Sequence, residues 1–173
     1  MILKTRVSVI SKWCLMIVAL VGLVSCNGSL LSYRGATVDP DSRIDLLENA
    51  SYKGTWQTFD LTVTYQYEKG TNLLQLSGVA ELSEHYQANY EKLRHLYVTV
   101  YFLGADDKVI EGKLILNAVS IDIDGKFRFK RNLEMPPETV AMAFGYDGEV
   151  REGASEYGSG GGGNFSKVPR RSS

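Results

Sequence analysis

The sequence predicts an all-β fold: a single β-sandwich of about seven strands with one short inserted helix. Three observations carry that expectation. Between residues 51 and 150 the apolar residues recur with period 2. Turn signals, among them Lys69-Gly70-Thr71-Asn72 and Asp124-Gly125, punctuate the alternation. Only the stretch Glu84 to Arg94 shows helical spacing, through Tyr86, Tyr90 and Leu93. An immunoglobulin-like or transthyretin-like Greek key is the first expectation, a small barrel the second. The Cys-Trp-Cys hallmark of true immunoglobulin domains is absent.

Each element has its reason. Residues near Tyr52 to Phe59, around Trp56, read as a first strand. Leu61, Val63, Tyr65 and Tyr67 alternate with polar residues, which gives a strand with one buried face. Leu73 to Leu82 is the next, with Gly78 as an expected bulge. Ser83 suits a helix N-cap and Glu84 a helix start. Leu96 to Leu103 is dense in β-formers and apolar on both faces, the pattern of a central strand. Lys108 to Ile110 begins a strand, and Lys113 to Ile123 forms another, its faces changing over near Ala118. Asp124-Gly125 reads as a tight hairpin turn into Phe127 and Phe129. Pro136-Pro137 ends that strand. In the last strand, Thr139 to Tyr146, the small Ala141, Ala143 and Gly145 make room for a neighbouring segment.

Composition narrows the function classes. The 173 residues suit one domain, and a net charge of −1 excludes a strongly basic nucleic-acid binder. Two Cys are too few for a disulfide scaffold.

Residues 1–25 carry Lys4, Arg6 and Lys12, no acid, and an apolar run from Trp13 to Val24. A basic head followed by such a run reads as a secretory signal. The segment ends Leu23-Val24-Ser25-Cys26, which resembles the lipobox of bacterial lipoproteins. The resemblance implies that the Cys26 thiol receives a diacylglyceryl group and that the chain is cut just before it. The mature chain then has 16 basic and 20 acidic residues, a net charge of −4, and no thiol left for a disulfide. Membrane attachment would rest on the acyl chains at Cys26. Asn27 at the sorting position, where Asp would favour the inner membrane, points to the outer membrane, facing the periplasm. The resemblance covers these residues alone and implies nothing about the mature domain.

The resulting division is a signal peptide at 1–25, lipidated Cys26 and a flexible tether at 26–50, the sandwich at 51–150, and a Gly-rich flexible tail at 151–173. The run Gly160 to Gly163 is no phosphate loop, because no helix pattern follows it.

No catalytic constellation is legible. His85 and His95 sit beside no nucleophile motif and read as structural histidines. Asp122 and Asp124, joined by Asp106 with its neighbour Asp107 from another turn, make a Ca²⁺ site conceivable. Asp is common in turns without metal, so neither metal nor cofactor is expected. Ten tyrosines are the richest feature. Tyr86 and Tyr90 from the helix and Tyr97 and Tyr101 from the central strand form an adhesive surface if exposed together. Otherwise the helix covers that sheet face and the rings pack on one another. The expected function is non-enzymatic: a membrane-anchored envelope lipoprotein serving as an interaction or assembly module with an envelope protein partner and no nucleic acid. The alternative is a glycan or cell-wall binding module that uses surface aromatics.

Overall fold

The computed structural model describes residues 33–48, 51–123, 125–152 and 161–171. These form two antiparallel sheets, one short α-helix and a single 3-10 turn at Pro40–Ser42. In chain order the elements are β1 (Ile44–Asp45), β2 (Ser51–Gln57), β3 (Leu61–Lys69), β4 (Leu73–Leu82), α1 (Glu84–Asn89), β5 (Lys92–Leu103), β6 (Val109–Asp122), β7 (Phe127–Glu134), β8 (Ala141–Arg151) and β9 (Gly162–Lys167). The five-stranded sheet runs β1-β8-β5-β6, and the four-stranded sheet runs β2-β3-β4-β7. β9 also pairs with β8. Since β5 takes one edge of β8, β1 and β9 share the other, end to end.

The inward faces of the two sheets share one core, as period-2 alternation requires. Trp56, Val63, Tyr65 and Leu76 face Val98, Val100, Met142 and Phe144 in it. The Phe144 ring lies 5.7 Å from Trp56 and 5.1 Å from Tyr65, centroid to centroid. A second, smaller cluster lies on the outward side of the five-stranded sheet: Tyr101, Leu103, Val109, Ala141 and Ala143, covered by Ala36, Tyr33 and Val38.

Several expectations move. Glu84 to Arg94 is not all helix: α1 stops at Asn89, and Leu93 and Arg94 belong to β5. Ser83 is the N-cap by position, but its hydroxyl makes no capping bond and is buried without a partner. Gly78 is not a bulge. β4 pairs without a break on both sides, and a Cβ at Gly78 would lie 2.4 Å from the Thr64 carbonyl oxygen and 2.7 Å from the Phe129 ring. The bulge sits in β6, where Val98 pairs with Leu116 and Thr99 with Leu114. The extra residue, Ile115, lets two consecutive apolar side chains, Ile115 and Leu116, both reach the core. The two strands expected across 108–123 are one, β6. Nor do β6 and β7 make a hairpin, since they lie in different sheets.

Two described segments near the ends carry more structure than their composition implies. Residues 33–48, read as tether, lie on the body: Thr37 bridges to both Lys108 and Arg170, β1 pairs with β8, and Leu46 enters the core. Residues 161–171, read as tail, supply β9. Its Phe165 is 5% exposed and packs 4.7 Å from Tyr86 and 5.9 Å from Tyr146. Residues 27–32 and 153–160 lie outside the described residues.

Candidate functional site

Alternation along β5 points Leu96, Val98, Val100 and Phe102 inward, leaving His95, Tyr97, Thr99, Tyr101 and Leu103 outward. Register then builds cross-strand rows over β8, β5 and β6. The rows are Ala141-Leu103-Val109, Ala143-Tyr101-Gly112, Gly145-Thr99-Leu114, Asp147-Tyr97-Asn117 and Glu149-His95-Val119. The first two are small or apolar and lie beneath residues 33–38. There Tyr33 meets Tyr101 edge to face at 5.5 Å, and Tyr101 is 4% exposed. The last two rows are polar and open.

The open rows hold one connected cluster. Tyr97, 37% exposed, stacks on His95 with centroids 4.9 Å apart and 24° between planes. His95 Nε2 lies 2.9 Å from Asp147 Oδ1, and its Nδ1 lies 3.9 Å from Glu149 Oε2. Arg94 donates to Glu149 at 2.8 Å, and Arg151 approaches the same oxygen at 3.4 Å. The Arg94 hydrogen bond holds Glu149 below the usual carboxylate range. The two carboxylates face opposite nitrogens of one imidazole, so they do not converge on a shared point. Among the described residues no group of three His, Cys, Asp or Glu is arranged to hold a metal ion. Val119, 51% exposed, completes the surface opposite His95.

The four tyrosines expected to act together do not share a surface. Tyr86 and Tyr90 pack at the edge of the core between the sheets, while Tyr101 lies under the N-terminal segment on the outward face. Of the four, Tyr97 alone is exposed. α1 covers the core edge rather than the outward face of β5. The conceivable Ca²⁺ set also separates. Asp106 lies in the β5–β6 turn and Asp122 at the far end of the 14-residue β6, a span of roughly 40 Å. Asp122 pairs with Lys92 across the strands, and Asp106 accepts from the Lys108 backbone at 3.2 Å. Asp124 and Cys26 lie outside the described residues.

Sequence reasoning missed two groupings. The first is the set Arg94, His95, Asp147 and Glu149, whose first two members lie more than 50 residues from the last two and meet them only through β5–β8 register. The second is Asp60. Its carboxylate accepts from the Tyr86 hydroxyl at 2.9 Å and the Tyr146 hydroxyl at 2.6 Å. Thr58 Oγ1 lies 3.1 Å from the Tyr146 hydroxyl and accepts from the Asp60 backbone N–H at 3.2 Å. Burial, with the Asp60 hydrogen bond second, pushes Tyr86 up to about 12 and raises Tyr146 further. Both phenols therefore stay protonated above the pH at which a free phenol ionises. Asp60 acts as a staple holding α1 and β8 to the β2–β3 turn.

Among the described residues no helix is long and apolar enough to cross a membrane. Comparison of the chain with protein-family models, with curated proteins and with solved structures finds no match.

Proposed function

We propose that the chain is an envelope lipoprotein whose body is a non-enzymatic protein-interaction module. It is acylated at Cys26, held at the outer membrane on the periplasmic side, and binds an envelope protein through the open rows of the five-stranded sheet. The observation that carries this reading is the Tyr97-His95 stack ringed by Arg94, Arg151, Asp147 and Glu149, with Val119 beside it. An exposed aromatic anchor with Arg and a charged rim has the composition of a protein-binding hot spot. Of Tyr86, Tyr90, Tyr97 and Tyr101, Tyr97 alone is exposed to support a glycan-binding reading. The body is read further as a Greek-key β-sandwich. The shared core of the two sheets supports this, as do the pairings β4–β7 and β5–β8, which enclose the β5–β6 hairpin. Its order differs from the immunoglobulin one, in which the second and third strands lie in different sheets; here β2, β3 and β4 form a meander.

The test is photo-crosslinking of the full chain in the native envelope, with the probe at Tyr97 and a control probe at Phe59, which is 78% exposed. One discrete protein captured at Tyr97 and not at Phe59 is the expected result. No protein adduct at Tyr97 overturns the interaction reading. Palmitate labelling tests the anchor separately: Cys26→Ser abolishes the label if Cys26 is the acylated residue.

A further inference from the structure

The outward face of the four-stranded sheet lies across the core from the Tyr97 surface and has a different chemistry. Register sets its side chains in rows over β2, β3, β4 and β7. The two central rows are Thr55-Thr64-Val79-Arg128 and Lys53-Gln66-Ser77-Lys130. They carry three cations, hydroxyls and an amide, and no carboxylate. The acids of this face stand at its two ends: Glu68 and Glu134 at one, and Glu81, paired with Lys126 at 3.3 Å, at the other. Among the described residues no carboxylate lies within ion-pair distance of Lys53, Arg128 or Lys130. The cations mark opposite edges, Lys53 on β2 and Lys130 and Arg128 on β7. Three strand spacings separate those edges, roughly 14 Å. A groove of about 180 Å³ lies toward the Glu68 end of the face, lined by Gln66, Glu68, Gln75, Ser77, Lys130 and Arg131 among others, so one carboxylate borders it.

We propose that this face binds an acidic polysaccharide, a chain of sugars bearing carboxylates. Charge complementarity supplies the first argument. The molecule is net acidic, yet every charge in these central rows is positive, and the three cations stand at both edges to meet carboxylates along an extended polymer. Side-chain chemistry supplies the second. Thr55, Thr64, Ser77 and Gln66 present hydroxyl and amide groups that donate and accept, as sugar hydroxyls require. These central rows hold no aromatic ring, so they lack the stacking platform on which single-stranded nucleic acids are held. This inference is independent of the protein-binding reading, because the two surfaces lie on opposite sheets.

Affinity electrophoresis of the full chain in detergent, through native gels containing polygalacturonate, neutral dextran or single-stranded DNA, tests it. The expected result is retardation by polygalacturonate, at least about tenfold weaker by DNA, and none by dextran. The triple variant Lys53→Gln/Arg128→Gln/Lys130→Gln abolishes it. Gln66→Ala/Ser77→Ala, which keeps every charge, weakens it several-fold. Tyr97→Ala leaves it unchanged. All altered positions are polar side chains on the outward sheet face, and circular dichroism checks that each variant remains folded. Absence of retardation overturns the proposal, as does equal retardation of wild type and the triple variant. Equal or stronger binding to DNA assigns the face to nucleic acid instead.

Discussion

Tyr97 and Tyr101 project from the same face of the same strand, four residues apart, yet one is 37% exposed and the other 4%. The strand does not make the difference. The N-terminal segment does, by laying Tyr33, Ala36 and Val38 across the half of the sheet whose β8 residues are Ala141, Ala143 and Gly145. Where β8 instead carries Asp147 and Glu149, burial would strand charges without water, and the face stays open. The covered half therefore adds to the buried apolar packing, while the open half keeps its charges in water.

That contrast is broken most severely at Tyr101. Tyr101→Ala removes the ring on which the covering segment rests and costs about 3–5 kcal/mol of folding stability, read by urea denaturation. Gly145→Ala attacks the same half from β8. Its Cβ would lie 2.6 Å from the Lys167 carbonyl oxygen and 2.7 Å from the Tyr101 ring, so the β8–β9 edge must shift, at about 1–3 kcal/mol. Asp60 extends the comparison to the second cover, α1. Asp60→Asn removes the charged acceptor of Tyr86 and Tyr146 and costs about 1–2 kcal/mol.

The covered phenols also give a pH signature. Burial pushes Tyr65 and Tyr86 up to about 12 from 10.0. Their stabilisation is complete below pH 10. Between pH 10 and about 12 the unfolded phenols ionise while the folded ones do not, so stability falls as pH rises through that window. Denaturation midpoints at pH 9 and pH 11 measure it, and equal midpoints would contradict the burial described. The smallest effect sharpens the comparison from the other side. Tyr97→Ala loses the stack on His95 from a half-open ring and costs about 0.5–1.5 kcal/mol, read by the same urea denaturation.

Legibility in the sequence tracked distance along the chain. Strands β2, β3 and β4 and the central position of β5 were readable because alternation is local. So was the purpose of Ala141, Ala143 and Gly145, since small side chains in a strand advertise a close neighbour. The identity of that neighbour was not. Tyr33 and Ala36 sit more than 60 residues from Tyr101 in a segment whose Gly, Ser and Pro content reads as coil. β9 was hidden for the same reason: glycines suppressed its strand signal, yet Gly162 and Gly163 pair with Arg151 and Val150 while Phe165 anchors the strand. The false hairpin at Asp124-Gly125 had a different cause. Two-residue turn chemistry describes local geometry and cannot report that β6 and β7 belong to different sheets. The His95 cluster needed the β5–β8 register, which shifts between Leu93 and His95 and so could not be counted off the sequence.

The Thr37 bridge has a mechanical side. Thr37 and Arg170 exchange backbone hydrogen bonds of 2.9 and 2.8 Å, and just before them Gly35 donates to the Val109 carbonyl at 2.8 Å. Tension applied at residue 33 reaches these few bonds before it reaches the β1–β8 pairing. They load one after another, as a zipper does, and a zipper yields at low force. The first product of such peeling is a second exposed aromatic, Tyr101, four residues along the strand from Tyr97.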